Sequence, residues 1–566
     1  MYFLNEKDFC KGTYRIRKPG TYVFQEDVTF SPNAHLNFFP DPNDPDYQTP
    51  AFILGFFTAL SVECDDVCVD LNQHTLEYSK VFALQQRYGS LIELSSSPFP
   101  PGFGPADFGP SIKSANRCCI RNGTLGLVSH HSIHGNHNSN VTIEDLTCKS
   151  FEVAAIALNG CEHVKIERVK IGPNRQDIPV LGSYSHARFL LHLTKAYLDK
   201  WVLDLTDEQF EHIQMCSEIL KKTLDHVKSE VGTKGSCSND LFSNSCGLLD
   251  SNCYGICIFP QGIAVHDLTD KSYNQKECSN VLIKDVEIKD LKCCPTEIVG
   301  LSERMGDFVQ FDLAGGVFNV LKCCDSNGYY SPNALSDLQI ALASPGHKFG
   351  NMTITPELVE WANDGERRLS DVFNTPNSSY RWRCGGDVMF HLTKGGIGLR
   401  VDGTRQLKMS NVRVEQVGNA GRMGNTTKNG AYHVSHSYQT RPMYHGCDAI
   451  GVVLSRVCNA KLKDVKVKQI HSDNGEASGV LINSVCEGVK MDRSLIRRIS
   501  SGLEKRKDQW YGKSWEGDIV RYNGKAPNAM PLAVGIKVTS KESDLDLKDV
   551  RIEKLKGPRV RRMVQG

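Results

Sequence analysis

Two short polar clusters in this chain carry residue types that acid–base chemistry uses. The first is His266 followed by Asp267, and the second is Arg400 followed two residues later by Asp402. An imidazole can exchange a proton near neutral pH, a guanidinium stabilises negative charge, and a carboxylate can act as acid or base. We predict that both clusters lie on one rigid face and are catalytic. The alternative for the same residues is a solvated turn held by local ion pairs.

A second group of candidates lies in the segment 418–447, which is rich in Gly, His and Tyr. Its ring-bearing and cationic residues are His433, His436, Tyr438, Arg441, Tyr444 and His445. Aromatic rings suit carbohydrate stacking and Arg suits carboxylate contact, so these residues are predicted to bind substrate. Because loops carry binding residues more often than packed strands do, a binding surface is favoured here over packing.

A run of histidines, SHHSIHGNHNSN, supplies two further substrate-binding candidates. His134 is predicted to point outward from a strand, and His137 to lie on the turn that follows. A groove lined by His could bind sugar or a metal ion, although metal ligands must converge and sequence spacing alone does not guarantee this. The alternative is that these histidines only satisfy the polar groups of a turn.

The cysteines predict neither a metal site nor a disulfide framework. The chain has 21 cysteines and a charged N terminus without an apolar leader, so synthesis in the cytoplasm without a signal peptide is expected. In that setting the thiols stay reduced and pack as small apolar groups. Cys237, Cys246, Cys253 and Cys257 lie within one irregular stretch, where Cys253 and Cys257 could form half of a zinc site as the alternative, but the other spacing is not that of a known zinc finger. No metal and no cofactor are therefore predicted.

A repeat positions these candidates. The segment beginning at Cys118 returns at Val141 and again at Val164, an offset of 23 residues each time (141 − 118 and 164 − 141), and Ile133 returns in the same way at Ile156. Each copy reads apolar-x-apolar-x-x-apolar-x-apolar, which indicates two half-buried strands separated by a bend. A fixed period of this length is typical of repeat architectures whose units bury their apolar faces against their neighbours.

The same pattern recurs down the chain, usually after a second strand such as Gly396–Leu399 or Gly479–Ile482. At this point the chain resembles the right-handed parallel β-helix, or pectin-lyase-like, superfamily, over roughly 60–175 and 255–556. The resemblance implies a single-stranded right-handed parallel β-helix, an all-β solenoid with an N-terminal cap, long loop insertions and one helical insertion. Placing the strand ends in one column predicts that His266 and Arg400 align with Asn159 and Ser455.

Changes of period and composition give the predicted domain organisation. It runs as follows: an N-terminal cap, 1–63; β-helix coils, 64–185; a helical and Cys-rich insertion, 186–260; a coil, 261–291; a long insertion, 292–395; coils with the loops 418–447 and 503–530, 396–556; and a basic tail, 557–566. Long loops that leave a regular repeat commonly gather on one face and form the binding surface.

Composition narrows the function classes. Lys and Arg total 66 against 65 for Asp and Glu, so nucleic-acid binding is not expected, and the longest apolar run is too short to span a membrane. The leading hypothesis is a protein that engages carbohydrate, with acidic polysaccharide among the classes, on a loop-lined groove, with or without catalysis. One alternative, implied by the resemblance, is a polysaccharide lyase, C5-epimerase or glycoside hydrolase. The other is a structural or virion-associated scaffold.

Overall fold

The computed structural model describes the chain in blocks separated by gaps. The described residues are 1–36, 38–47, 52, 57–85, 89–98, 113–151, 153–174, 253–260, 276–293, 348–349, 352–353, 396–419, 448–473, 475–502, 504–506, 509–513, 519–521 and 532–565, with single positions between 198 and 225. Nearly all of the described structure is β-sheet, and most of its strand pairs are parallel.

Two large parallel sheets dominate the described residues. The long sheet has 17 strands: Tyr2–Leu4, Gly20–Phe24, Val28–Phe30, Val67–Asp70, Thr75–Tyr78, Cys118–Leu125, Ser139–Cys148, Glu162–Glu167, Lys170–Ile171, Cys278–Cys293, Thr404–Asn419, Cys458–Lys463, Lys466–Ser472, Val489–Asp492, Leu495–Ser501, Leu545–Lys548 and Arg551–Glu553. The short sheet has 11: Tyr14–Ile16, Leu60–Val62, Ser90–Glu93, His131–Asn136, Ala154–Asn159, Cys253–Phe259, Gly396–Asp402, Ala449–Ser455, Ala477–Asn483, Leu532–Val538 and Arg559–Gln565.

The other elements that the structure describes with defined bounds are small. They are a six-residue α-helix, Lys80–Gln85; three 3₁₀ turns, Glu6–Phe9, Ala34–Leu36 and Pro45–Tyr47; an antiparallel pair, Lys348–Phe349 with Met352–Thr353; and a three-stranded antiparallel sheet, Glu504–Arg506, Gln509–Lys513 and Ile519–Arg521.

The repeat in the sequence sets the register of both sheets. Cys118, Val141 and Val164 are successive partners in the long sheet, and Ile133 pairs with Ile156 in the short sheet. Val480 likewise pairs with Ile536. In-register pairing aligns equivalent apolar residues, so every repeat presents the same side chains to the interior. These predicted equivalences are confirmed.

The bends predicted within each repeat are also confirmed. Asp145, Asp285 and Asp464 interrupt the apolar pattern of the long sheet and have left-handed backbone angles, with φ of 53°, 52° and 55°. Asp and Asn tolerate this conformation better than most residues because their short side chains bond to the local backbone. The chain therefore turns at the same point in each repeat.

The inner faces of the two sheets share one core. Leu399 and Val452 of the short sheet belong to the same buried cluster as Val414 and Val467 of the long sheet. Gly451 shows how closely the sheets approach: a side chain there would overlap with Val467 and lie 2.6 Å from the carbonyl oxygen of Gly479. The interior is packed tightly enough that only glycine fits at this contact.

The predicted single-stranded right-handed coil is wrong. The described chain forms two sheets, and the short one is a flat parallel sheet that does not close: its end strands, Tyr14–Ile16 and Arg559–Gln565, pair with one neighbour each. The apolar pattern determines which strands pair and which residues face inward. The pattern carries no information on whether the sheets join into a closed coil. The predicted right-handed winding came from the family resemblance and not from the residues.

Several predicted features lie outside the described residues. These include most of the helical and Cys-rich insertion, the long insertion 292–395 apart from six residues, and the loop 418–447 from residue 420 on. Among the residues that are described, no helix combines the length and apolar content needed to cross a membrane.

Candidate functional site

The outer face of the short sheet, which points away from the shared core, holds the candidate site. Its central line of side chains follows the register of successive strands. This outer column consists of Ser61, Glu93, His134, Ala157, Cys257, Arg400, Val453, Leu481 and Lys537. Parallel pairing spaces these positions by about 4.8 Å, so groups far apart in sequence form one straight row.

A buried carboxylate–imidazole pair occupies the column near its N-terminal end. His134 Nδ1 lies 2.8 and 2.9 Å from the two carboxylate oxygens of Glu93, and both residues are buried. Ser90 and Ser95 also donate hydroxyl hydrogen bonds to Glu93, each at 3.1 Å. The imidazole therefore carries its proton on Nδ1. On its other side, Nε2 accepts a hydrogen bond from the Asn159 side-chain amide at 3.2 Å.

A second buried carboxylate lies one strand away. Glu63 accepts hydrogen bonds from Arg15 at 2.5 and 3.1 Å and from Ser61 at 2.9 Å. Because Ser61 pairs with Glu93, Glu63 is the diagonal neighbour of Glu93, roughly 8 Å away between α-carbons. Both acids line a cavity with about 20 Å³ of room for water-sized molecules, bordered also by Thr58, Ser90 and Ser95. That volume holds a water molecule and no more.

Arg400 lies farther along the outer column and is held by ionic and aromatic contacts. Its Nη2 donates to Asp402 at 3.2 Å, and its guanidinium carbon lies 5.2 Å from the centre of the Phe259 ring. Asp402 is buried and also accepts hydrogen bonds from Arg456, at 2.7 and 2.8 Å. The Nε of Arg400 is buried and has no hydrogen-bond partner. This leaves one charged donor on the face unsatisfied.

An apolar cluster surrounds Arg400 on the same face and is separate from the shared core. Its buried members are Val153, Ala154, Ala157, Tyr254, Cys257, Ile397, Ile450 and Val453. Phe259 and Leu481 pack against it and are partly buried. Apolar surroundings lower the local dielectric constant, which strengthens the electrostatic interactions of Arg400 and Asp402.

The structure brings some of the predicted site residues together. Arg400 and Asp402 form an ion pair, and His134 lies in the same column three strand steps away, roughly 14 Å at the spacing of parallel strands. His137 is exposed on the turn after its strand, as predicted, and lies outside the buried Glu93–His134 pair. His266 and Asp267 lie outside the described residues, as do the six candidates between His433 and His445.

The predicted alignment of Arg400 with Asn159 and Ser455 is wrong. Arg400 pairs with Cys257 and Val453, while Asp402 pairs with Ser455. The strand beside Ala154–Asn159 is Cys253–Phe259. A shift of one residue would turn the apolar side chains outward, but a shift of two keeps the alternation intact. The sequence pattern alone therefore allowed both registers.

Of the four cysteines that could have formed a zinc site, the structure describes Cys253 and Cys257, and both are buried. Burial raises the pKa of the Cys257 thiol to about 12, which opposes the thiolate form that binds metal. Cys253 accepts a hydrogen bond from the Asn174 side chain at 3.0 Å. Within the described residues no group of three or more His, Cys, Asp or Glu could hold a metal ion. Cys237 and Cys246 lie outside them.

Sequence reasoning missed Glu63, Glu93, Arg15 and Arg456. Glu93 lies 41 residues before His134, whereas the repeat length is 23, because the Pro- and Gly-rich stretch 95–110 separates their strands. The pair could have been found from the similarity of the strands Ser90–Glu93 and His131–Asn136. In each strand an isoleucine comes directly before the functional residue, Glu93 or His134.

Comparisons with known proteins complete the description of the site. No family model and no curated protein match the chain. The chain is similar to the catalytic domain of a GH87 alpha-1,3-glucanase in complex with nigerose, at 8% identity and a TM-score of 0.26, with 98% of this chain and 62% of that chain covered. It is also similar to the Streptococcus pneumoniae surface protein and adhesin PfbA, at 8% identity and a TM-score of 0.25, with 98% and 91% covered.

At TM-scores of 0.26 and 0.25 these likenesses carry no argument about the function of this chain. The chain also spans only 62% of the length of the glucanase domain. Any functional conclusion therefore has to come from the geometry of the outer face.

Proposed function

We propose that this protein binds carbohydrate along the outer column of the short sheet, with Arg400 contacting an anionic or strongly polar group of the sugar. The observation that carries the proposal is the buried Nε of Arg400, which has no hydrogen-bond partner. A buried charged donor left unpaired costs free energy, and an acceptor supplied by a ligand removes that cost. Carboxylate and hydroxyl oxygens of an acidic polysaccharide are acceptors of this kind.

The surroundings of Arg400 support a sugar rather than a compact anion. The ring of Phe259 is partly buried beside the guanidinium, and Tyr254 belongs to the apolar cluster on the same face. Sugar rings have apolar faces that pack on aromatic side chains, while their hydroxyls need nearby polar groups. Asn136 and Asn159 provide such groups in the neighbouring row and are joined by a hydrogen bond of 2.9 Å.

The straight row of side chains also suits an extended ligand. Glu93, His134 and Arg400 stand in one column, with His134 and Arg400 roughly 14 Å apart at the strand spacing. One sugar residue cannot contact both ends of that distance, whereas a linear oligosaccharide can. The proposal is therefore binding of a chain of several residues.

Binding of a panel of neutral and acidic oligosaccharides to the full chain tests this proposal. Arg400→Ala is expected to weaken binding of the preferred acidic ligand at least tenfold. Arg413→Ala is the matched control, because Arg413 is exposed on the long sheet, away from the proposed surface. Equal affinity of the two variants, or no binding to any member of the panel by the unmodified chain, would refute the proposal.

A second candidate function, glycan cleavage, is favoured by the Glu93–His134 pair. A carboxylate that holds the Nδ1 proton of an imidazole orients Nε2 as a base, and Nε2 of His134 lies beside Asn159 on the outer face. Release of reducing ends or unsaturated products from the bound glycan, lost in His134→Gln while binding persists, would support catalysis. Binding without any turnover would restrict the protein to the role of a carbohydrate-binding module.

A further inference from the structure

Two cysteines face each other on the outer face of the long sheet, whereas the candidate carbohydrate site lies on the short sheet. Cys68 in the strand Val67–Asp70 is the register partner of Cys119 in the strand Cys118–Leu125. Their sequence neighbours Val67, Val69, Cys118 and Ile120 are buried in the core. Side chains alternate along a strand, so Cys68 and Cys119 point outward side by side, and both are partly exposed.

The backbone geometry at this pair suits a covalent bridge. Neighbouring strands lie about 4.8 Å apart, and disulfides form when the α-carbons are about 4.4–6.8 Å apart. Pairing of the residues that follow holds the two α-carbons at this separation, since Val69 pairs with Ile120 and Asp70 with Arg121. The register therefore places the two cysteines side by side, within the α-carbon separation that a disulfide spans.

The environments of the two thiols differ in a way that suits stepwise chemistry. A hydrogen bond from Cys119, followed by the charge of Arg121, lowers the pKa of Cys68 to about 7. The same hydrogen bond, with burial, raises the pKa of Cys119. Cys68 is thus the nucleophilic thiolate near neutral pH, and Cys119 is the thiol that reacts second.

The buried cysteines of the core behave differently. Burial raises the pKa of Cys118 and of Cys148 to about 12 each, so both stay protonated thiols. Burial therefore opposes thiolate chemistry at these two core cysteines, unlike at Cys68.

We propose that Cys68 and Cys119 are a thiol–disulfide exchange site, which a low-molecular-weight disulfide such as oxidised glutathione converts to a reversible cross-strand disulfide. The Cys68 thiolate attacks one sulfur of the small disulfide, forming a mixed disulfide and releasing one small thiolate. Cys119 then loses its proton to solvent, attacks the Cys68 sulfur and releases the second small thiolate. The protein loses two electrons, and the small disulfide is reduced to two thiols.

Peptide mapping after exposure of the full chain to oxidised glutathione at pH 7.5 tests the proposal. The expected product is a peptide pair joined through Cys68 and Cys119, which dithiothreitol reverses. Cys119→Ser is expected to stop at a glutathione adduct on Cys68, and Cys68→Ser to slow modification of Cys119 at least tenfold. Cys10→Ser is the matched control, because Cys10 is an exposed cysteine elsewhere on the chain.

Two measurements keep the result interpretable. Circular dichroism shows whether each serine variant keeps its sheet structure, and alkylation of Cys68 in the unmodified chain is expected to be half-maximal near pH 7, where its pKa is about 7. The proposal is overturned if oxidised glutathione leaves Cys68 and Cys119 unlinked. It is equally overturned if Cys68 alkylates no faster at neutral pH than Cys10.

Discussion

The two sheets present outer faces of opposite character. On the long sheet the ion pair between Arg168 and Asp145, at 2.7 Å, is solvated, with side chains 45% and 46% exposed, whereas the neighbouring Glu167 side chain is only 8% exposed. On the short sheet the charges are withdrawn from water: His134 and Glu93 pair at 2.8 Å with side chains 9% and 2% exposed. Both faces belong to the same stack of repeats, so the fold itself does not require the difference.

The exposed ion pairs of the long sheet are explained by solubility, whereas the buried charges of the short sheet need another explanation. Exposed ion pairs contribute at most about 1 kcal/mol each, and an outer face rich in them stays hydrated. Burying the Glu93 carboxylate costs desolvation free energy that its hydrogen bonds from His134, Ser90 and Ser95 hardly recover, so the fold gains little stability from it. The proposed ligand binding gives the buried charges of the short sheet a role that stability does not.

The largest expected effect concerns the shared core that both faces enclose. Gly451→Ala places a methyl group against Val467 and 2.6 Å from the Gly479 carbonyl oxygen, so we expect a loss of about 3 kcal/mol in the free energy of unfolding. Gly418→Ala is the matched control, because its nearest atom would be 3.7 Å away. Urea unfolding measures both. Similar stability of the two variants would mean that the inner faces are not in contact as described.

A smaller effect compares one pair from each outer face. His134→Ala leaves the buried Glu93 carboxylate without its imidazole partner and is expected to cost about 3 kcal/mol at most. Arg405→Ala breaks the 2.6 Å ion pair with Glu277, in which the Arg405 side chain is 71% exposed and the Glu277 side chain 48% exposed. This change is expected to cost below about 1 kcal/mol. If thermal or urea unfolding gave the same loss of unfolding free energy for both variants, the two outer faces would not differ as described.

The smallest expected effect is a pH dependence on the long sheet. Hydrogen bonds from Lys165, Lys284 and Arg168 lower the pKa of Glu167 from 4.5 to about 2. A lowered pKa stabilises the folded state above about pH 4.5, and this contribution is lost as the pH falls toward 2. Glu167→Gln should therefore cost about 1 kcal/mol at pH 7, after allowance for solvent screening, and nothing near pH 2. A cost independent of pH would contradict this assignment.

Much of the local structure could be predicted from the sequence, because its causes are local. The alternation of Val141 and Ile143 fixes which side chains face inward, and the offset of 23 fixes their partners at Val164 and Ile166. The bend at Asp145 follows from the interruption of that alternation. Each of these depends on residues within one repeat or its neighbour.

What could not be predicted depends on relations that the pattern leaves undetermined. Whether the sheets close is set by the chain path between strands, so the predicted coil was wrong. The alignment of Arg400 failed because a two-residue shift preserves the apolar alternation. The Glu93–His134 pair was missed because a Pro- and Gly-rich segment lies between its strands and makes their separation 41 residues, more than one repeat length. The catalytic prediction for His266 and Asp267 stays a prediction.

The constant offset between Cys118, Val141 and Val164 makes the length of this chain modular. Removing residues 141–163 would place Val164 opposite Cys118 with every side chain facing its original direction, and a tandem copy of the same segment would extend both sheets by whole strands. Any other change of length in this segment would reverse or misplace its neighbours. Duplication and loss of complete units is therefore the route by which such a protein can change size without losing its interior.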